Sequence, residues 1–356
     1  MSAAGPVLVL VDHDRGAVAP GTLEALTLAR GLTGPAGGPA AEMAAVVPAA
    51  DALWEAHGSS IVAECAAFGA TVVHQLADDL LADYGPQAWA EALDAALDRL
   101  APQAVVGPGT DRGAEVMAHL AAFRSLALVA NCVRVTPPPA AGGDWQITRR
   151  QWGGSLLEDV TLGSELPLLT VGLHAVEARP LDDGAADGAA GTADGIADGA
   201  AAGDRIEVDL SEAAAATLVA DRVVLAEGVT LATAPVVVSG GRGVGSAEGF
   251  AALEELAGLL GGRVGCSRAV TNNGWRSHAD QVGQTGTRIA PELYIACGIS
   301  GAIQHWVGAM GSKNILAVNI DPEANMVAKA GYAVIADLHE VVPAVCEEIR
   351  RRRDTA

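Results

Sequence analysis

The chain has 356 residues, half of them apolar and only 3% aromatic, with a net charge of −21. That length suits two ordinary domains, whose cores must be built mainly from Ala, Val and Leu. The excess of 43 acidic over 22 basic residues repels phosphate backbones and anionic lipid, so nucleic acid and membrane surfaces are disfavoured as partners.

Residues 1–6 lead into an apolar β-run at 7–11 with no basic or Arg/Ser-rich leader, and no apolar stretch is long enough to span a bilayer. A soluble, cytoplasmic protein without membrane insertion is expected. Residues 21–31 read as an amphipathic helix ended by Gly31, 44–47 and 71–76 as strands, and 61–68 as a helix between them. Residues 89–100 form a strong helical pattern with Leu93, Ala96, Leu97 and Leu100 on one face. The strand 104–107 follows, then the loop Pro108-Gly109-Thr110-Asp111-Arg112-Gly113 and the helix 114–123. Strands separated by crossover helices predict a mainly parallel sheet. Residues 181–204 are almost wholly Ala, Gly and Asp, too polar to offset their ordering entropy, and are expected to form an unstructured acidic loop. Their Asp-Gly pairs lack the spacing and the Glu of a calcium loop. Residues 206–210 and 217–226 are β-like and are expected to return to the edge of the first sheet.

A second αβ unit opens near Pro235, so the expected domains are 1–233 and 234–356. Its strands are read at 236–238, 263–266, 293–296, 315–320 and 333–336, with helices at 248–260 and 340–353. The fold class is α/β, two domains, each a mainly parallel sheet flanked by helices. The five cysteines, Cys65, Cys132, Cys266, Cys297 and Cys346, are widely spaced with no CxxC, which excludes a zinc knuckle and favours buried thiols.

Chemistry is suggested by four segments of the second unit. Ser239-Gly240-Gly241-Arg242-Gly243-Val244-Gly245-Ser246 is a strand-to-helix turn whose glycines admit an anion. It is not the dinucleotide fingerprint, because position 246 is Ser and no acidic residue lies about 20 positions on. A plain tight turn is the alternative. Ser267-Arg268 follows a strand, where an arginine suits an anion or an electron-rich ring, an ordinary ion pair being the default. The loop Gln281-Val282-Gly283-Gln284-Thr285-Gly286 offers hydrogen-bonding groups to a flat heterocycle. Residues 297–305 run from a strand through Gly298, Ser300 and Gly301 into a helix carrying His305, which taken alone is more often structural than catalytic. No acid–base pair or nucleophile stands out.

In order, SGGRG, SRA, QVGQTG, APELYIACGISGAIQH, the strand ending in Asn319, DPEA and ADLHEVVP resemble the alpha subunits of electron-transfer flavoproteins. The resemblance is dense from 235 to 346 and looser from 7 to 175. It implies an N-terminal adenine-nucleotide-hydrolase-like domain and a C-terminal deoxyhypusine-synthase-like domain that binds FAD. It also implies a heterodimer with a beta subunit, shuttling electrons from acyl-CoA or other dehydrogenases, as in fatty-acid β-oxidation, to a membrane quinone oxidoreductase. Carried over by position, Arg242, Ser267 and Arg268 would touch FAD, with Arg268 close to the flavin ring. Val282, Gly283, Gln284 and Thr285 would line the ring, with Thr285 near N5. Ser300, Gly301, Ala302, Ile303, Gln304 and His305 would hold pyrophosphate and flavin, with His305 near the C2 carbonyl. Asn319, Asp337 and Leu338 would hold the adenosine end. The pattern is broken at Asn272, Thr287, Ile320 and Asn325, where relatives often carry Asp, Lys, Lys and Pro. The alternatives are a subunit of an electron-bifurcating complex and a nucleotide-binding regulatory protein of the same fold.

Overall fold

Four consecutive buried aliphatic residues, Val7–Leu10, form β1, the strand from which the first unit grows. A small antiparallel hairpin follows, β2 (His13–Asp14) with β3 (Ala17–Val18), and then α1 (Pro20–Arg30), entered through a proline in its first turn. The chain continues through β4 (Met43–Pro48), α2 (Asp51–Ala67), β5 (Val72–Ala77), α3 (Pro86–Leu100), β6 (Ala104–Gly107) and α4 (Asp111–Arg124). Next come β7 (Leu128–Thr136), β8 (Trp145–Gln151), β9 (Leu156–Leu162), β10 (Leu168–Val171) and β11 (Ala201–Glu207). The computed structural model describes residues 5–33, 42–139, 142–181, 201–219 and 229–354. Among these, β1 and β4 to β11 form one sheet in the order β11-β5-β4-β1-β6-β10-β7-β8-β9, parallel except where β8 and β9 pair antiparallel.

The period of two along a strand explains the layers. Val7, Val9 and Val11 share a core with α1 and α2 through Leu26, Ala29, Ile61 and Cys65. Leu8 and Leu10 face the opposite way, toward Trp89, Leu93 and Leu97 of α3 and Met117 and Leu120 of α4. Both faces are covered, as a mainly parallel sheet requires.

Two expectations change here. Residues 201–204 belong to β11, which pairs in parallel with β5, so the acidic segment cannot be unstructured through to 204. Backbone pairing does not need apolar side chains, and the strand is anchored by buried Ile206 and by Arg205, which pairs with Asp51. Residues 182–200 lie outside the described residues. Of the β-like stretch 217–226, Thr217 ends a 3-10 turn (Glu212–Thr217) capped by the Ser211 hydroxyl, and 220–226 are again outside the described residues. The antiparallel arm β7–β9 is not anticipated by the sequence reading, because its half-exposed residues show no continuous apolar run.

The chain forms two compact units, the first of Met1–Trp152 with Leu156–Val223, the second mainly of Val224–Ala356. The second contains β12 (Val236–Gly240), α5 (Ala251–Leu259), β13 (Arg263–Cys266), α6 (Arg268–Asn272) and β14 (Leu293–Cys297). It is completed by α7 (Ile303–Ala309), β15 (Asn314–Asn319), α8 (Asn325–Lys329), β16 (Tyr332–Ile335) and α9 (Leu338–Asp354). Its described strands form a fully parallel sheet, β13-β12-β14-β15-β16. Phe250, Leu253, Leu256 and Val342 fill one face, and Tyr294, Ile289, Ala309 and Met326 the other. All five cysteines are free and buried, and burial pushes the Cys266 and Cys297 thiols up to about 12.

Leu93 and Phe250 anchor separate units and are each at most 1% exposed. Leu93→Ala should cost about 2–5 kcal/mol and Phe250→Ala about 3–5 kcal/mol. Urea unfolding monitored by circular dichroism is the measurement, and midpoints equal to wild type would contradict the assigned cores.

Candidate functional site

In the second unit, β12 is the point where strand order reverses. β13 lies on one side of it and the later strands on the other, which is where open parallel sheets bind ligands at their carboxyl ends. A cleft of about 900 Å³ opens there, at the upper end of the range of about 300–1,000 Å³ for small-molecule sites. Every strand of the sheet contributes. Gly241, Arg242 and Gly243 come after β12, Ser267 and Arg268 after β13, and Gly298 to Ala302 after β14. Asn319 and Asp321 come from the end of β15, and Asp337 and Leu338 follow β16.

The glycines are required by close backbone approach. Gly241 N donates to Cys297 O at 2.9 Å and Gly243 N to Gly298 O at 3.1 Å. A Cβ on Gly241 would sit 2.2 Å from Gly298 O. Gly301, at φ +77°, would put a Cβ 2.3 Å from the Met326 amide nitrogen. The amides of Ile299, Ser300, Gly301 and Ala302 donate to no other described residue, so the loop presents consecutive free N–H groups. The helix that follows, α7, has only seven residues, so these loop amides matter more than its dipole. On the β12 side, 3-10 turns (Arg242–Val244 and Glu248–Phe250) precede α5, which starts at Ala251 rather than at the expected 248.

Arg242 and Arg268 are exposed on the cleft, and neither has an ion-pair partner among the described residues. In a chain of net charge −21, two uncompensated guanidiniums on one cleft suit an anionic ligand. The cradle that side chains would block, the free amides and the cations together fit a phosphate-bearing cofactor such as FAD. Asn319 and Asp337 shape the far end. The Asn319 amide donates to Ile299 O at 3.1 Å while its oxygen accepts from Asp321 N at 3.1 Å. Asp337 Oδ1 accepts from His339 N at 2.9 Å in the first turn of α9.

His305 is 6% exposed, and its Nε2 lies 2.6 Å from the hydroxyl of buried Tyr294. Burial pushes its pKa down to about 4, opposed by the Val282 backbone, so the ring is neutral at physiological pH. The arginines are therefore the cations on the cleft.

Of the residues expected at the site, Arg242, Ser267, Arg268, Ser300, Gly301, Ala302, Gln304, His305, Asn319, Asp337 and Leu338 all line the cleft. Val282, Gly283, Gln284, Thr285 and Ile303 do not. The 282–285 loop is drawn to the side, because Val282 N donates to Cys266 O, Gln284 N to Gln304 O, and Gln281 Nε2 to the Thr285 hydroxyl. Gly241, Gly243, Gly298 and Ile299, whose backbone forms the cradle, stand in the segments read as anion sites but were not among the contacts the resemblance carried over. Also outside that carried-over set are Ala269, Asn272, Ile320, Asp321, Ala324, Ala336 and His339, which complete the lining; Asn272 and Ile320 were noted only as departures from the family pattern. Their positions just beyond strand ends are the signal that would have found them.

The depressed His305 pKa has a consequence for stability. The folded value, about 4, lies below the ordinary 6.5, so the neutral ring's contribution is complete above about pH 6.5 and is lost as pH falls toward 4. Between pH 7 and 4 the flavin-free wild type should lose about 3 kcal/mol more than His305→Gln. Urea midpoints at the two pH values check this, and parallel losses in both proteins would contradict it.

A family model described as the electron transfer flavoprotein domain matches residues 7–195, and one described as the electron transfer flavoprotein FAD-binding domain matches residues 230–310. The electron transfer flavoprotein subunit alpha of Mycobacterium leprae is 35% identical, over 97% of this chain and 98% of its own length. That of Bacillus subtilis is 33% identical over 82% of this chain and 84% of its own. Protein FixB of Bradyrhizobium diazoefficiens is 35% identical over 97% of this chain and 89% of its own. This chain therefore belongs to the electron transfer flavoprotein alpha subunits, and its cofactor is FAD.

Proposed function

We propose that this chain pairs with a beta subunit as a cytoplasmic heterodimer and carries electrons from dehydrogenases, with acyl-CoA dehydrogenases the favoured donors, to a membrane quinone oxidoreductase. The observation that supports it most is the cleft itself: free amides and two arginines unpaired among the described residues, on a glycine cradle. Such a site suits the phosphates of a dinucleotide redox cofactor.

When bound, FAD supplies one- and two-electron transfer. The chain's own residues then divide the work. The amides of 299–302 and Arg242 hold the phosphates. Arg268 offers a cation where negative charge would collect, and the neutral His305 ring forms part of the wall. Ser267 and Gln304 add polar contacts, and Asn319, Asp337 and Leu338 receive the adenosine end. Val282, Gly283, Gln284, Thr285 and Ile303 stand beside the cleft, and the 282–285 loop would line the flavin from there.

A second reading is a subunit of an electron-bifurcating complex whose beta subunit carries another FAD. It is kept because relatives of similar identity carry two different names, electron transfer flavoprotein subunit alpha and Protein FixB. The flavin absorption of the co-expressed heterodimer separates the two. One FAD per heterodimer, reduced by an acyl-CoA dehydrogenase with its substrate, is expected; two FAD favour bifurcation, and no reduction by that donor overturns the assignment of partner. Arg268→Ala should retain FAD and lower the first one-electron potential by about 60–130 mV, the equivalent of one hydrogen bond to a charged group, toward the low end because Arg268 is exposed. An unchanged potential in spectroelectrochemistry would place Arg268 away from the ring.

A further inference from the structure

Tyr294 carries one of the largest fully buried side chains, on β14 at the middle of the second sheet. A phenylalanine would supply the same packing, so the hydroxyl calls for a separate explanation. It lies 2.6 Å from His305 Nε2 and beside the buried Ser239 hydroxyl on β12. We propose that Tyr294 is a positioning residue for the cofactor cleft: its hydroxyl donates to His305 Nε2 and holds the imidazole in the tautomer whose proton is on Nδ1. The functional half of this rests on FAD occupying the cleft that His305 lines.

Counting protons selects this arrangement. Burial raises the Tyr294 pKa, so the phenol keeps its hydrogen and has one to donate. The neutral imidazole has one N–H and one lone pair. Were the proton on Nε2, the phenol's hydrogen would have to turn away from the ring, and the neighbouring Ser239 hydroxyl makes no hydrogen bond among the described residues, so that hydrogen would lose its one described partner. With the proton on Nδ1, Nε2 accepts from the phenol. Nδ1 reaches no described acceptor at hydrogen-bonding geometry, so its N–H is the one donor the ring has left uncommitted. The tie also joins α7 to the central strand, fixing the ring in the cleft wall.

The test uses histidine labelled with 15N in the co-expressed heterodimer and in its flavin-free form. Long-range 1H–15N correlation at pH 7 should show His305 with a protonated Nδ1 and an unprotonated Nε2. Tyr294→Phe should replace this with a mixture of tautomers or with a protonated Nε2, while FAD content is kept and the flavin midpoint potential falls. Ser239→Ala should leave the tautomer as in wild type. A wild-type ring protonated on Nε2 overturns the proposal, as does an unchanged tautomer in Tyr294→Phe. Scrambling by Ser239→Ala would show that the phenol donates to serine instead, which also overturns it. A changed tautomer with an unchanged or raised potential removes the link to the cofactor. Failure of the FAD reading looks different: the wild-type heterodimer would lack flavin bands, whatever the resonances of the flavin-free form.

Discussion

The approach of two backbones at the carboxyl ends of β12 and β14 is the constraint on which the site depends. In parallel register Gly240 stands opposite Cys297, so the two strands finish level and their exits begin side by side. Gly241 and Gly243 then donate to Cys297 and Gly298 across the gap, a separation that leaves no room for a Cβ. Because these exits are hydrogen-bonded to each other, the 299–302 amides remain unpaired. The same junction delivers the chain into α7, bringing His305 back toward Tyr294. Cleft, free donors and buried histidine thus follow from one contact.

Charge works with this geometry. The chain as a whole is strongly acidic, yet Arg242 and Arg268 stand on the cleft without carboxylate partners among the described residues. Other arginines are taken up in ion pairs, among them Arg276 by Glu254 and Asp280, and Arg124 by Asp94 and Asp98. The cleft lining also holds Asp321 and Asp337, so what it offers an anion is two unpaired guanidiniums in one place, while the acidic remainder repels nonspecific polyanions. His305 adds no charge, since burial keeps it neutral, so the electrostatic and the hydrogen-bonding roles fall to different residues.

What could be read in the amino-acid sequence followed the length scale of the signal. Buried parallel strands announce themselves as continuous apolar runs, and β1, β4, β6, β12 and β13 lie within a residue or two of where the runs at 7, 44, 104, 236 and 263 put them. The β7–β9 arm alternates over a half-exposed surface and escaped notice, and β11 begins in Ala-Ala-Gly-Asp, a composition that argues for loop. In the site, motifs pointed to the arginines and to the 300–305 segment, all of which line the cleft except Ile303. The lateral placement of Val282 to Thr285 was not legible, because it is set by backbone hydrogen bonds to Cys266 and Gln304, which are remote in sequence. The Tyr294–His305 tie was hidden too: both residues stand in the quoted PELYIACGISGAIQH segment, but only the turn between strand and helix brings them together.

The central claim is that FAD lies on the glycine cradle of the second unit. Flavin content per chain, from absorbance of the purified heterodimer, tests it most directly when Gly301→Ala is compared with Gly261→Ala. Both positions have positive φ, so both substitutions strain the backbone, but a Cβ at Gly301 meets Met326 backbone at 2.3 Å while at Gly261 it meets nothing within 4 Å. Gly261 also lies before β13, at the end of the strand away from the cleft. The account predicts that Gly301→Ala loses most of its FAD while Gly261→Ala keeps it, with similar circular dichroism in both. Full flavin content in Gly301→Ala, or equal loss in the two variants, would contradict it.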